Sequence, residues 1–188
     1  MTGIILNDVM VDIETLGRRA GCAIVSIGAV KFDPKAGFVD TDNSFYRVIT
    51  VESAMRHGLT VDPSTLRWWM RQSKEAQFVF NDPSATSLQA ALVEFAEWVG
   101  EDGGYGDVQM WGNGASFDNP ILAAGFEAID VIQPWRYWND RCYRTRSAEA
   151  KAVPFNRVGL AHNALDDAVS QAIHLCAIYA AEREAKGQ

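Results

Sequence analysis

The stretch Val9-Met10-Val11-Asp12-Ile13-Glu14-Thr15 alternates apolar and acidic positions. Such a pattern predicts a β-strand whose odd residues form an apolar face. Asp12 and Glu14 then share the opposite face, one pleat apart, where two carboxylates repel each other and burial raises the cost. Either both acids sit in solvent at the strand's end, or a divalent cation compensates them. Two further acids and one histidine lie far along the chain. Asp118, in Ser116-Phe117-Asp118-Asn119-Pro120, stands where a strand hands over to a helix. Open α/β sheets place sites in such crevices, although an Asp before a helix is also an ordinary N-cap. His162 and Asp167 flank a helix start in His162-Asn163-Ala164-Leu165-Asp166-Asp167. Asn163 can cap that helix, with Asp166 reaching back in a variant capping box. This leaves His162 in the loop and Asp167 in the first turn, both free for chemistry.

Four carboxylates and one histidine match the needs of two-metal phosphodiester hydrolysis. Two ions about 3.5–4 Å apart clamp the attacking and leaving oxygens of an in-line displacement. Hard oxygen ligands suit Mg²⁺ or Mn²⁺, and a lone histidine is free to act as a base toward water. Zinc hydrolysis would want more His or Cys ligands. The sequence contains no Gly-x-Ser-x-Gly elbow, no Gly-Lys-Ser/Thr phosphate loop and no Gly-x-Gly-x-x-Gly.

These residues need elements to position them. After the first strand, Ala23–Asp33 and Ser44–Ile49 read as two more strands, with a turn at Asp33–Gly37. Short connections suggest an antiparallel meander. Asp62-Pro63 starts a helix through Gln72, with Leu66, Trp69 and Met70 on its apolar stripe and Thr65, Trp68 and Gln72 beside it. Asp82-Pro83 repeats the start signal. Leu88, Ala91, Leu92, Phe95, Trp98 and Val99 then keep helical spacing until Gly103-Gly104-Tyr105-Gly106. Val108–Trp111 reads as a fourth strand, with a helix starting near Phe117 or Asp118. A short fifth strand is predicted near Trp135–Trp138, with a helix after it. The last helix runs from about Ala164 to Glu184, burying Leu165, Ala168, Val169, Ala172, Cys176 and Tyr179. His174, mid-helix, reads as a partly buried structural residue, and His57 as a loop residue without a carboxylate partner. Strands first, then alternating helices and strands, predict an α/β fold: a mixed sheet with helices packed on it.

With 188 residues and no internal repeat or linker, residues 1–188 are expected to form a single domain. The 48% hydrophobic content supplies a core, yet no apolar run approaches membrane-spanning length. The start, Met1 to Asn7, lacks the basic region of a signal peptide. Cys22, Cys142 and Cys176 are far apart and odd in number, which suggests a reduced, cytoplasmic protein. A net charge of −7 argues against indiscriminate nucleic-acid binding, though a cluster holding two divalent ions is locally far less negative. From Arg136 to Arg157, six basic residues face two acids. That segment is either a solvated face or a functional surface.

Val11-Asp12-Ile13-Glu14-Thr15-Leu16-Gly17, Phe117-Asp118-x-x-Ile121-Leu122 and His162-x-Ala164-x-x-Asp167 resemble, in order, the three exonuclease motifs of the DEDDh superfamily. Polymerase proofreading subunits, ribonuclease T and oligoribonuclease belong to it. The motifs span nearly the whole chain. The resemblance implies a ribonuclease H-like fold: a mixed five-stranded sheet, three antiparallel strands then parallel ones, flanked by helices. It implies stepwise 3′-to-5′ release of nucleoside monophosphates from nucleic acid with a free 3′ end. By motif matching, Asp12, Glu14 and Asp167 hold two Mg²⁺ or Mn²⁺ ions, Asp118 ligates directly or through water, and His162 deprotonates the attacking water. Thr15, Leu16, Gly17, Phe117 and Trp68 are the implied substrate contacts. Leu16 can equally be core, and Trp68 either stacks on a base or is buried. Arg67, Arg71 and Lys74 form a stripe that either tracks phosphates or is plainly solvated.

The chain departs from the superfamily at Gly114, where Asn is common; here Asn113 lies one place earlier. Asp62–Trp69 and Trp111–Gly114 resemble a bacterial and phage branch with a Trp-Trp helix, which includes exoribonucleases and DNA exonucleases. Relatives often complete the substrate path with a neighbour's basic surface, so a homodimer is expected. Competing readings are a non-catalytic module that binds nucleic-acid ends, an enzyme restricted to RNA, and an endonuclease of ribonuclease H type, which His162 disfavours.

Overall fold

The central strand β1, Asp8–Thr15, is covered on both faces. In this computed structural model, which describes residues 6–101 and 106–187, Val9, Val11 and Ile13 enter one apolar cluster and Met10 enters another on the opposite side. Asp12 and Glu14 follow Met10 on that second side. β2, Ile24–Asp33, pairs antiparallel with β1, and β3, Phe38–Val48, pairs antiparallel with β2. β4, Gln109–Gly112, and β5, Asp140–Cys142, add parallel strands beyond β1, giving the order β3-β2-β1-β4-β5. This is the five-stranded mixed sheet expected from the sequence.

Helices α1, Val51–Arg56, α2, Pro63–Trp69, and α3, Lys74–Gln77, follow the meander. Then come α4, Leu88–Gly100, α5, Asp118–Ala128, α6, Tyr143–Glu149, and α7, Ala164–Ala185. α4 buries all six side chains expected of it, Leu88, Ala91, Leu92, Phe95, Trp98 and Val99. Each large apolar side chain so buried contributes about 1.5–3 kcal/mol. α7 covers the other face with Ala168, Ala172, Leu175 and Ile178. Leu165, Val169 and Tyr179, expected to be buried, are only half-covered.

Several boundaries differ from the sequence reading. β3 begins at Phe38 rather than Ser44, because its first half is an exposed, polar edge strand without the apolar alternation that betrays a half-buried one. Asp82 does not start a helix. Its carboxylate accepts from the Ser84 N–H at 2.8 Å to make a turn, and Ser87 caps α4 instead, accepting from the Ala90 N–H at 3.1 Å. α2 stops at Trp69, so of its expected apolar stripe only Trp69 is buried, while Leu66 and Met70 are 44% and 72% exposed. The fifth strand is Asp140–Cys142, not Trp135–Trp138. Trp135 is a core residue whose Nε1–H donates to Asp140 at 2.8 Å, and Tyr137–Asn139 form a 3₁₀ turn. Of the glycine run that was to end α4, residues 103–105 lie outside the described residues, as do residues 1–5.

Gly28 lies opposite Asp12 in the β1–β2 register. A Cβ there would sit 2.1 Å from the Leu165 backbone nitrogen. Its bare backbone lets the first turn of α7 rest directly on the sheet beside Asp12. Gly28→Ala is therefore expected to lift α7 and cost about 1–3 kcal/mol. Urea unfolding measures this, and an unchanged midpoint would mean that α7 does not pack this closely.

Candidate active site

Asp12, Glu14, Asp118, His162 and Asp167 line one cavity of about 560 Å³, together with Trp68, Asn113, Phe117, Tyr143, Arg144, Phe155, Arg157 and Gln171. β1 supplies Asp12 and Glu14, the start of α5 supplies Asp118, the loop into α7 supplies His162, and the first turn of α7 supplies Asp167. Asp118 is buried and does not cap its own helix. Its carboxylate accepts from the Asn113 N–H at 2.7 Å and from the Ile13 N–H at 3.4 Å, tying the ends of β1 and β4 together. Asp12 accepts from the Gln171 amide at 2.8 Å. Asn163 caps α7 as expected, accepting from the Leu165 and Asp166 N–H groups at 3.1 Å. The capping-box reading of Asp166 does not hold: its carboxylate accepts from the Leu160 N–H at 2.7 Å and so fastens the preceding loop instead.

His162 has φ 64°, a left-handed conformation uncommon outside Gly, Asn, Asp and His. Its N–H donates to Asp167 Oδ2 at 3.1 Å, which fixes this backbone geometry. Its ring packs edge-on against Trp68, with centroids 5.0 Å apart, and Nδ1 lies 4.0 Å from Glu14 Oε1. One ligand atom each from Glu14, His162 and Asp167 lie within 4.8 Å of one another. The tightest group among the described residues thus contains His162 where motif matching placed Asp12.

The electrostatics describe a cluster short of positive charge. Burial, then Asp118 and Glu14, push the Asp12 carboxyl well above the usual range. Burial and Asp118 raise Glu14 to about 8, and burial raises Asp118 to about 6. Burial and the Arg157 guanidinium lower His162. Buried, mutually repelling oxygen donors are the donor set that hard divalent cations take. Glu14 holds its proton more tightly folded than unfolded, so folding takes up a proton between about pH 4.5 and about pH 8. Raising the pH through that window removes stability. In EDTA the melting temperature is therefore expected to fall from pH 5 to pH 8. A flat or rising profile would mean that the chain compensates these charges itself.

A second cavity of about 680 Å³ adjoins the first, sharing Ile13, Glu14, Trp68 and Phe117. Thr15, Gly17, Arg18, Ser64, Thr65, Arg67 and Arg71 complete its wall. Trp68 is 41% exposed, leaving its ring partly free. Leu16 is a correction: it is 2% exposed and belongs to the core, so its side chain lines neither cavity. Thr15 is also turned inward. Its hydroxyl donates to the Gly17 carbonyl at 2.7 Å, and its own carbonyl accepts from Trp69 Nε1–H at 2.9 Å. The basic stripe is broken at the end of α2, so Arg67 and Arg71 reach the cavity but Lys74 begins α3. The basic segment also divides. Arg146 pairs with Glu149 and Glu182, whereas Arg144 and Arg157 turn into the first cavity. The sequence does not single out Gln171, and it marks Arg144 and Arg157 only as members of the basic segment. Gln171 was findable, because it lies one helical turn after Asp167. His174 is structural as read, bonded to the Tyr143 hydroxyl at 2.7 Å and to the Val153 carbonyl at 3.0 Å.

A ribonuclease H-like sheet with this order of acids and histidine is the arrangement of a DEDDh 3′–5′ exonuclease. The chain belongs to that superfamily: the family model described as the 3′-5′ exoribonuclease Rv2179c-like domain matches residues 7–179. The exodeoxyribonuclease of Enterobacteria phage T4 is 27% identical over 160 residues, covering 74% of this chain and 70% of that protein. Solved structures with the same fold include cell-death related nuclease 4 (CRN-4), with TM-score 0.60, 14% identity, and 96% of this chain matched to 64% of that one. The rAMP-bound nuclease domain of the DEDDh member 3′hExo gives 0.57 at 12% identity, over 100% and 96% of the two chains. S. pombe Pop2p with Mg²⁺ and Mn²⁺ bound gives 0.57 at 13% identity, over 95% and 83%.

Proposed function

We propose that this exonuclease domain, residues 1–188, hydrolyses DNA or RNA from a free 3′ end by a two-metal mechanism with His162 as general base. The observation that carries this reading is the meeting of four carboxylates, Asp118 and Asp167 buried and Asp12 and Glu14 half-buried, with His162 in one cavity. Asp12, Glu14 and Asp167 would hold two Mg²⁺ or Mn²⁺ ions, with Asp118 ligating directly or through water. Those ions, when bound, supply the charge that stabilises the phosphoryl transition state. One structure of the same fold supports this choice, that of Pop2p described with Mg²⁺ and Mn²⁺ bound.

The chain's own residues do the rest. His162, neutral near pH 7, accepts a proton from the attacking water on a ring nitrogen. The water oxygen bonds to phosphorus, the bond to the 3′-oxygen of the preceding nucleotide breaks, and that oxygen takes a proton from solvent to become a 3′-hydroxyl. A nucleoside 5′-monophosphate leaves. Trp68, Phe117, Thr15 and Gly17 line the adjoining cavity, where the terminal base would stack.

We propose that the protein works as a homodimer in which the basic segment Arg136–Arg157, apart from the Arg144 and Arg157 that line the chain's own cavity, serves the neighbour's substrate path. A light-scattering mass of one chain with activity intact would remove that idea. The free cysteines suit a reducing, cytoplasmic setting, and no helix among the described residues is long and apolar enough to cross a membrane. The deciding assay uses matched DNA and RNA oligonucleotides, single- and double-stranded, labelled at the 5′ end, with Mg²⁺, Mn²⁺ or EDTA. Metal-dependent ladders shortened one nucleotide at a time are expected. Binding without cleavage would favour the non-catalytic reading, and internal cuts would favour an endonuclease.

A further inference from the structure

Arg157 carries a charge that the two-metal reading does not use. Its guanidinium pairs with Asp167 Oδ1, while Oδ2 accepts the His162 N–H. Thus both oxygens of a proposed metal ligand in the first turn of α7 are engaged by groups of the loop that precedes the helix. Arg157 stands in an exposed segment, 151–160, yet that segment is fastened to α7 on both sides of it. Upstream, the Val153 carbonyl takes the His174 ring. Downstream, the Val158 N–H donates to Ser170 Oγ at 2.9 Å and the Leu160 N–H to Asp166 at 2.7 Å. The backbone under Arg157 is therefore fixed, and only its long side chain, 41% exposed, is free to move.

A guanidinium and a divalent ion cannot share one carboxylate oxygen, because the two cations repel at contact distance. A metal that takes Asp167 Oδ1 therefore displaces the guanidinium from it. Its anchored backbone keeps it at the same cavity. Arg144 also lines that cavity, its Nε–H donating to Asn113 Oδ1 at 3.3 Å and its guanidinium over Gly114. Two forked guanidiniums at a carboxylate–metal site match the geometry of a phosphodiester.

We propose that Arg157 has two positions: a place-holding cation on Asp167 without metal, and a ligand of a substrate phosphate, beside Arg144, once metal is bound. It is a positioning residue for the reaction and a competitor of the metal. This rests on the two-metal reading of the same site, and the test separates the two. Arg157→Ala and Arg157→Lys are compared with the unaltered chain in three measurements: Mn²⁺ binding by calorimetry without nucleic acid, melting with and without Mn²⁺, and steady-state cleavage of a 3′-ended oligonucleotide.

In Arg157→Ala, Mn²⁺ is expected to bind several-fold more tightly, because the state that excludes it is gone. The melting temperature should fall in EDTA but not in Mn²⁺. KM should rise about tenfold or more, the loss expected of one charge-assisted hydrogen bond, with kcat changed far less. Arg157→Lys, which keeps the charge but not the fork, should restore the EDTA melting temperature and only part of KM. A purely structural role would lower melting equally with and without metal and weaken Mn²⁺ binding, which overturns the proposal. Unchanged KM in Arg157→Ala also overturns it. If the unaltered chain neither binds Mn²⁺ nor cleaves, the two-metal reading itself has failed.

Discussion

Asp167→Asn is expected to abolish both cleavage and metal-dependent stabilisation while leaving the fold in place. Asn has the same shape, and its oxygen can still accept the His162 N–H that Asp167 Oδ2 now takes at 3.1 Å. What it loses is the negative charge at the centre of the Glu14, His162 and Asp167 group. Metal-borne stabilisation of a phosphoryl transition state amounts to several kcal/mol, and each 1.36 kcal/mol is tenfold in rate, so the loss should reach about 10³-fold or more. Ligands of the native state raise the melting temperature by mass action. The unaltered chain should therefore melt higher with millimolar Mn²⁺, and Asp167→Asn should lose most of that gain. Single-turnover cleavage and melting curves across a Mn²⁺ titration measure both. Cleavage within tenfold of the unaltered chain would sink the assignment.

His162→Ala separates two roles that the geometry brings into competition. Nδ1 lies 4.0 Å from Glu14, close enough for a ligand, whereas the motif makes the ring a base. Positioned acid–base groups contribute about 10²–10⁴-fold. If His162 is the base, turnover should fall by that amount with Mn²⁺ affinity unchanged. If it is a ligand, Mn²⁺ affinity falls with turnover. The pH profile adds a second reading. Burial and Arg157 lower the His162 pKa, so the acidic limb of kcat should lie below the ordinary histidine range and vanish in the variant. Ala is strained at φ 64°, so His162→Asn, which tolerates that conformation, serves as the stability control. Near-full turnover in both variants would show that the proton leaves by another route.

Much of this was legible in the chain because the information is local. The alternation around Asp12 and Glu14 fixes their common face, whatever packs above them. The 3.6-residue spacing of α4 named its six buried side chains, and the Asn163 cap placed the start of α7. Local readings failed where a residue's role depends on a distant partner. Leu66 and Met70 keep apolar spacing, but α2 is too short and too peripheral to bury them. Leu16 and Trp68 look alike as apolar residues near motifs. Only the fold sends Leu16 into the core and leaves Trp68 against His162.

The sequence by itself determined the first four strands, the helices that became α2, α4, α5 and α7, and the set of acids and the histidine between them. Periodicity, capping and residue chemistry act over a few positions. The tertiary structure decided which of these groups touch. It brought α7 onto Gly28, so that Asp167 meets Glu14, and it turned two arginines of an apparently solvated segment toward the carboxylates. Contacts between residues more than a hundred positions apart depend on how whole elements pack. No spacing along the chain encodes that packing.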